Sequence, residues 1–213
     1  MNLNLQSHTY PGKLIVFEGT DGAGKTTLIG KTIKFLNEKL GYGKVLSVKQ
    51  PTDLSRKTRL FQKMMYCGNH EDIDYRAVQL LTMSDRIQHQ REVIVPALKE
   101  GKTVICDRYV FTSAANMEMR GYSREGWFYD VATNLIRPDC AVLCNVQPEK
   151  AIERIRSRAE EVNRYFDEEL LRRVSDCFIA QASEWGLEIV NTDCDADEAF
   201  AKVKEKIKKL YGE

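Results

Sequence analysis

The sequence predicts an α/β fold, a five-stranded parallel sheet flanked by helices on both faces, and three observations lead there. Five short runs rich in Val, Ile and Leu recur near residues 13–17, 44–48, 103–106, 140–146 and 188–190. Long stretches of helical pattern separate them, and such alternation yields a doubly wound parallel sheet. The first run also feeds straight into Gly19-Thr20-Asp21-Gly22-Ala23-Gly24-Lys25-Thr26, which fits G-x-x-x-x-G-K-[ST] between a strand and a helix.

In chain order, the strand at 13–17 delivers the phosphate loop and the helix at 25–40 follows it. The glycines let backbone N–H groups turn inward around phosphate oxygens while the helix aims its positive end at the same anion. Gly19, Thr20, Asp21, Gly22, Ala23, Gly24, Lys25, Thr26 and Thr27 therefore form the candidate nucleotide-phosphate site. Lys25 is placed to reach the β- and γ-phosphates, and the Thr26 hydroxyl to ligate Mg²⁺.

The strand at 44–48 runs into Lys49-Gln50-Pro51-Thr52-Asp53, with helices expected at 54–66 and 74–100. The strand at 103–106 ends on Asp107-Arg108-Tyr109. A helix at 124–135 leads to the strand at 140–146, helices at 149–158 and 167–185 to the strand at 188–190, and a helix at 195–211 closes the pattern. Ligands in such sheets sit at the carboxyl ends of the strands, so those residues carry the chemistry. Asp107 is a candidate for metal held through water, or else a helix or turn cap. Arg108 offers a planar fork to a phosphate bridging donor and acceptor, or else a salt bridge. Lys49 is a candidate for an acceptor phosphate, or a solvated lysine. Arg154 and Arg158, four apart on the helix at 149–158, are expected on one face. They serve either as a lid over the transferring group or as a solvated salt-bridge face.

The whole chain sets limits on these readings. Its 213 residues suit one domain with a sizeable core, and no repeat or Pro/Gly-rich linker divides it. The net charge of +1, from 32 basic and 31 acidic residues, supplies no global field for nucleic acid or an anionic membrane. No apolar run approaches the roughly 18 residues that span a bilayer, and the first residues do not read as a signal peptide, so a cytoplasmic protein is expected. The six cysteines form no C-x-x-C pair and are read as reduced thiols, mostly in the core.

Phe17-Glu18-Gly19-Thr20-Asp21-Gly22-Ala23-Gly24-Lys25-Thr26-Thr27, then Ser84-Asp85-Arg86, Pro96-Ala97-Leu98 and Val104-Ile105-Cys106-Asp107-Arg108-Tyr109, in that order, resemble the thymidylate kinase family. The resemblance extends to about residue 193. It implies a P-loop NTPase fold as a single kinase domain over 1–213 with a short helical lid at about 154–166. It also implies a homodimer and transfer of the γ-phosphoryl group of MgATP to dTMP. By position, Asp21 would touch the acceptor sugar or the metal, Lys25 would bridge the phosphates, Arg108 would hold the acceptor phosphate, and Arg86 would hydrogen-bond the thymine carbonyl. The loop has Gly22 where some members place a catalytic arginine. The implied type therefore draws it from the lid, where Arg154, Arg156, Arg158 and Arg164 lie.

Departures from the family pattern cluster at the acceptor side, where Lys49, Thr82, Ser113 and Asn116 join Asp21, Arg86 and Arg108 as the implied substrate set. Thr82 stands where an aromatic ring usually stacks on the base, and such stacking is worth about 1 to 3 kcal/mol. Tyr66, Tyr75 and Phe111 are the candidate replacements. Asn116 replaces a tyrosine that discriminates deoxyribose, Lys49 replaces an arginine, and Asn163-Arg164 stands for Asp-Arg. The expected activity is dTMP phosphorylation. Another monophosphate acceptor and a non-catalytic ATP-binding module are the alternatives, while the absence of N-K-x-D and of an apolar strand ending in Asp-Glu argues against GTPase and ATPase engines. The helix at 74–100 is either the implied dimer contact or buried within one subunit.

Overall fold

In the computed structural model, which describes residues 3–68, 70–158 and 165–212, five parallel strands stand in the order β2-β3-β1-β4-β5. They are β1 (Lys13–Glu18), β2 (Val45–Lys49), β3 (Thr103–Asp107), β4 (Cys140–Asn145) and β5 (Glu188–Asn191). Alternate residues of the central strands feed two separate cores. Leu14 and Val16 join Val104, Cys106, Ala141 and Leu143 on one face. Ile15 and Phe17 join Ile105, Val142 and Cys144 on the other. Burial on both faces is why these strands read as continuous apolar runs rather than alternating ones.

Helices α1 (Lys25–Leu40) and α10 (Ala196–Leu210) cover the second face, with Leu28, Leu36, Val203 and Ile207 buried against it. The first face carries α4 (Tyr75–His89), α5 (Val95–Lys99), α6 (Val110–Met119), α7 (Gly126–Ala132) and α9 (Glu168–Trp185). Two short helices, α2 (Asp53–Arg56) and α3 (Arg59–Tyr66), follow β2, and α8 (Pro148–Arg156) follows β4.

Several expectations need correction. The helix expected at 54–66 is two, because Thr58 turns extended and its hydroxyl caps α3 by accepting from the Phe61 N–H at 3.2 Å. The expected long helix at 74–100 is continuous but not uniform. Pro96 has no N–H to give, and the wider turn Gln90–Ile94 just before it lets the Val95 N–H reach back to Gln90 instead. Helix α6 was not anticipated at all. Six of its ten residues are buried and none is exposed, so no solvent-facing charged stripe marks the helix, and its N-cap residue Tyr109 offers no side-chain cap. Strands β2 and β3 each run one residue further than expected, so Lys49 and Asp107 are their last residues. Part of the expected lid, residues 159–164 with Arg164, lies outside the described residues.

Candidate active site

The phosphate loop is built where β1 ends and α1 begins. Gly19, Gly22 and Gly24 have φ of 132°, 78° and 81°, a region L-residues avoid. Two of them are also crowded, since a Cβ on Gly19 would lie 2.5 Å from the Cys144 carbonyl oxygen and one on Gly22 2.4 Å from that of Ala151. The first turn of α1 holds no acidic residue, which leaves its N–H groups and dipole available to an anion. Thr26 and Thr27 are exposed there beside the buried Lys25. Lys25 Nζ donates to the carbonyls of Gly19 at 3.0 Å and Thr20 at 2.7 Å. Burial pushes its pKa down to about 8, the Arg108 charge adds to this, and Asp21 and Asp107 oppose it.

Asp107 and Arg108 stand at the end of β3, next to this loop. Asp107 turns Oδ2 toward Lys49 Nζ at 3.7 Å, while its buried Oδ1 has no hydrogen-bond partner. Arg108 is the one non-glycine residue with positive φ among the described residues, at 67°, a conformation that costs on the order of 1–3 kcal/mol. Its Nη1 donates to the Gly19 carbonyl and the Thr112 hydroxyl, both at 2.9 Å, and its Nη2 pairs with Asp21 Oδ1. Burial opposes its charge, but Asp21, Glu18 and Asp107 outweigh it and raise its pKa.

From this end a cavity of about 450 Å³ runs between α4 and α6. Tyr75, Gln79, Thr82 and Arg86 line it from successive turns of α4, and Thr112, Ser113, Asn116 and Arg120 from the facing turns of α6 and its end. Arg86 is 1% exposed. It donates to the carbonyls of Thr82 at 3.2 Å and Tyr109 at 3.1 Å, and its Nε has no partner. The buried Thr82 hydroxyl donates to Gln79, and Asn116 Nδ2 to the Thr112 carbonyl at 2.9 Å. Arg120 lies 4.2 Å over the Tyr75 ring.

The structure sorts the candidate replacements for the missing ring. Tyr75 lines the cavity; Tyr66 is 54% exposed and Phe111 is packed between Tyr109 and Trp185, so neither does. Phe61 and Phe178, absent from the sequence-based set, line it as well. Its rim is clasped by Tyr165, whose ring stacks on His70 at 3.7 Å and whose N–H donates to the Met65 carbonyl at 2.9 Å. Asp85 holds the near wall by accepting from the Thr52 N–H and hydroxyl, both at 2.7 Å.

On the other side of the phosphate loop a second cavity of about 400 Å³ is lined by Gly22, Gly24, Thr27, Arg154, Thr192 and Cys194, among others. Arg154 donates to the carbonyls of Gly22 at 3.0 Å and Thr192 at 3.3 Å. It does not share a helix face with Arg158, because α8 ends at Arg156 and Ser157 is its C-cap. Arg158 lies beyond, exposed, and lines both cavities. Arg156 instead pairs with Glu168.

A phosphate cradle continuous with a pocket walled by two helices is thus in place, and the relatives of the chain can be compared with it. The family model for thymidylate kinase matches residues 17–207. The chain belongs to the thymidylate kinase family. A probable thymidylate kinase of Pyrococcus abyssi is 34% identical over 203 residues, covering 92% of this chain and 96% of that one. A thymidylate kinase of Caldicellulosiruptor saccharolyticus is 32% identical over 207 residues, covering 93% and 97%. In fold, the crystal structure of thymidylate kinase from Ehrlichia chaffeensis superposes with a TM-score of 0.70 at 22% identity, covering 92% of this chain and 98% of that one.

The sequence-selected residues of this thymidylate kinase family member gather around the two cavities. Sequence reasoning passed over Glu18, Gln79, Thr112, Arg120, Phe61 and Thr192. Thr192 follows β5 directly, so the strand-end rule applied there would have found it. Glu18 ends β1 inside the quoted motif, so the same rule reaches it, although no role was read for it; Phe61, Gln79, Thr112 and Arg120 lie on helices or at a helix end, with no local signal to separate them from packing residues.

Proposed function

We propose that the protein is a dTMP kinase that transfers the γ-phosphoryl group of ATP to dTMP, giving ADP and dTDP. Family membership supports the reaction. The observation that carries it to this chain is that one cavity reaches from Gly24, Lys25 and Thr26 to Arg86 without leaving the site.

No covalent intermediate is needed; positioning and charge neutralisation supply most of the catalysis. Loop amides from Gly19 to Thr27 hold the donor phosphates, and Lys25 exchanges its two carbonyl partners for phosphate oxygens. Arg108 and Lys49 hold the acceptor phosphate in line, while Asp21 fixes the Arg108 fork and faces the acceptor. Arg86 offers its buried N–H groups to a thymine carbonyl, with Thr82, Ser113 and Asn116 lining the nucleoside. Arg158, between the cavities, brings positive charge to the transferred group. Arg154 braces the loop from the donor side.

Mg²⁺ fits the residues present. Asp107 has a buried carboxylate oxygen without a partner, Thr26 lines the same cavity, and no cluster of three His, Cys, Asp or Glu side chains exists among the described residues. That sparse donor set suits a cation held mostly by substrate phosphates and water. When bound it neutralises charge on the donor phosphates.

The same reading makes the chain one kinase domain with residues 154–166 as its lid, working in the cytoplasm as a homodimer. No described helix is long and apolar enough to cross a membrane. The dimer contact is read from the family resemblance, on α4, where Leu80 is 54% exposed. Light scattering on the purified protein reads the mass directly. For the reaction, ³¹P spectra of the protein with MgATP and dTMP should show dTDP rising as ATP falls; ATP consumption without dTDP would reject the assignment.

A further inference from the structure

A fully buried acid stands just before the phosphate loop: Glu18, the last residue of β1, is 0% exposed. One carboxylate there serves three donors from a different part of the chain. Its Oε1 accepts from the Tyr109 N–H at 2.7 Å and the Thr112 N–H at 3.2 Å, and its Oε2 accepts from the Thr112 hydroxyl.

Tyr109 is the N-cap residue of α6 and Thr112 the third residue of that helix. Those are the two N–H groups that a local capping box would satisfy with side chains of the helix itself. Here a single acid on the neighbouring strand does both, and its charge lies at the positive end of the helix dipole.

The Thr112 hydroxyl is also the acceptor of Arg108 Nη1 at 2.9 Å. A hydroxyl has one proton to give, so with Arg108 donating to its oxygen that proton goes to Glu18. The result is a directed chain: guanidinium to hydroxyl to carboxylate. The same carboxylate takes the N–H that follows Arg108, whose own N–H is held by the Phe17 carbonyl at 2.9 Å. Both the left-handed backbone of Arg108 and one arm of its side chain are therefore tied to Glu18.

We propose that Glu18 and Thr112 are positioning residues for phosphoryl transfer: they aim the Arg108 guanidinium at the acceptor phosphate, Thr112 by its hydroxyl and Glu18 by anchoring that hydroxyl and the start of α6. This rests on the reading of Arg108 as the acceptor-phosphate ligand in a monophosphate kinase. It assigns a function to a buried acid that the transfer step itself does not use.

The test is steady-state kinetics with dTMP and ATP varied separately, on wild type, Thr112→Val, Thr112→Ser and Glu18→Gln, with melting temperatures alongside. Thr112→Val keeps the shape and the N–H bond to Glu18 but removes the hydroxyl. It should raise the dTMP KM about tenfold, the effect of losing one hydrogen bond to a charged group, and leave the ATP KM within about twofold. Thr112→Ser should restore the wild-type dTMP KM. Glu18→Gln should shift the dTMP KM in the same direction and lower the melting temperature as well. If valine is not accepted at this place, Thr112→Ala asks the same question.

An unchanged dTMP KM in Thr112→Val, an equal loss for both substrates, or a Thr112→Ser enzyme as impaired as Thr112→Val would overturn the proposal while leaving the kinase reading intact. So would Glu18→Gln with a lower melting temperature and an unaltered dTMP KM, which is the signature of a cap and nothing more. A wild-type protein that phosphorylates no dTMP would reject the kinase reading, and this proposal with it.

Discussion

The two ends of the main cavity are built in opposite ways. At the phosphate end, the proposed site is one run of nine consecutive residues from Gly19 to Thr27, whose backbone would do the binding. At the nucleoside end, the walls come from α3, α4, α6 and α9, and no two neighbouring turns share a motif. A backbone site needs particular glycines and a lysine at fixed spacing. A side-chain site needs only a suitable surface, which many combinations supply. Divergence is therefore expected at the second end, and that is where Thr82 and Asn116 stand, while Lys49 stands beside Asp107 near the phosphate loop.

This contrast breaks or holds by mutation. The largest effect belongs to the phosphate end. Lys25→Ala should lower kcat by about a thousandfold or more, since a donor aimed at transition-state charge is removed. Its melting temperature should not fall, because the wild-type ammonium is buried at a cost; single-turnover assays and thermal melts read the two effects.

Arg86→Ala comes next. Losing a buried, charged hydrogen-bonding group should raise the dTMP KM by about 10- to 100-fold with the ATP KM unchanged. Equal losses for the two substrates would place Arg86 in the common scaffold rather than at the base.

The rings of the acceptor pocket sharpen the comparison further. Tyr75→Ala should cost about tenfold in dTMP kcat/KM if this tyrosine, under the Arg120 guanidinium, has taken over stacking from the position of Thr82. Tyr66→Ala, out in solvent, should change nothing in the same assay.

The smallest effect is one of pH. Lys25 must carry its proton to hold phosphate, and in the free protein burial brings its pKa to about 8. kcat/KM for ATP should therefore fall above about pH 8, while kcat at saturating ATP persists to higher pH because bound phosphate raises the lysine pKa. The sign for stability follows the same shift. A lowered amine pKa means the unfolded chain binds more protons between about pH 8 and the ordinary value of 10.5, so the ligand-free protein loses a penalty as pH rises through that window. Lys25→Met should flatten both profiles.

Much of the fold was legible because it is periodic and local. All five strands were found, α1 was placed to the residue, and Asp167 and Asp195 cap α9 and α10 where those helices were expected to begin. Helix α6 was not legible, because none of its residues is exposed to mark a solvent face and because its cap, Glu18, lies far back in sequence. The split between α2 and α3 turned on one threonine hydroxyl. At the site, the loop and Asp107-Arg108 follow directly from apolar strands and announce themselves. Gln79, Thr112 and Arg120 are single side chains on helices, and only the packing of α4 against α6 makes them neighbours. The expected pairing of Arg154 with Arg158 failed because helical spacing was assumed past the real end of α8.

The proposed enzyme keeps its transfer apparatus and serves dTMP through an altered acceptor pocket. That is tested most directly by measuring kcat/KM for dTMP, dUMP, UMP, CMP, dCMP, GMP and AMP with saturating MgATP, with products identified by mass. The highest value is expected for dTMP, with dTDP as the product. A higher value for any other monophosphate, or transfer to none of them, would contradict it.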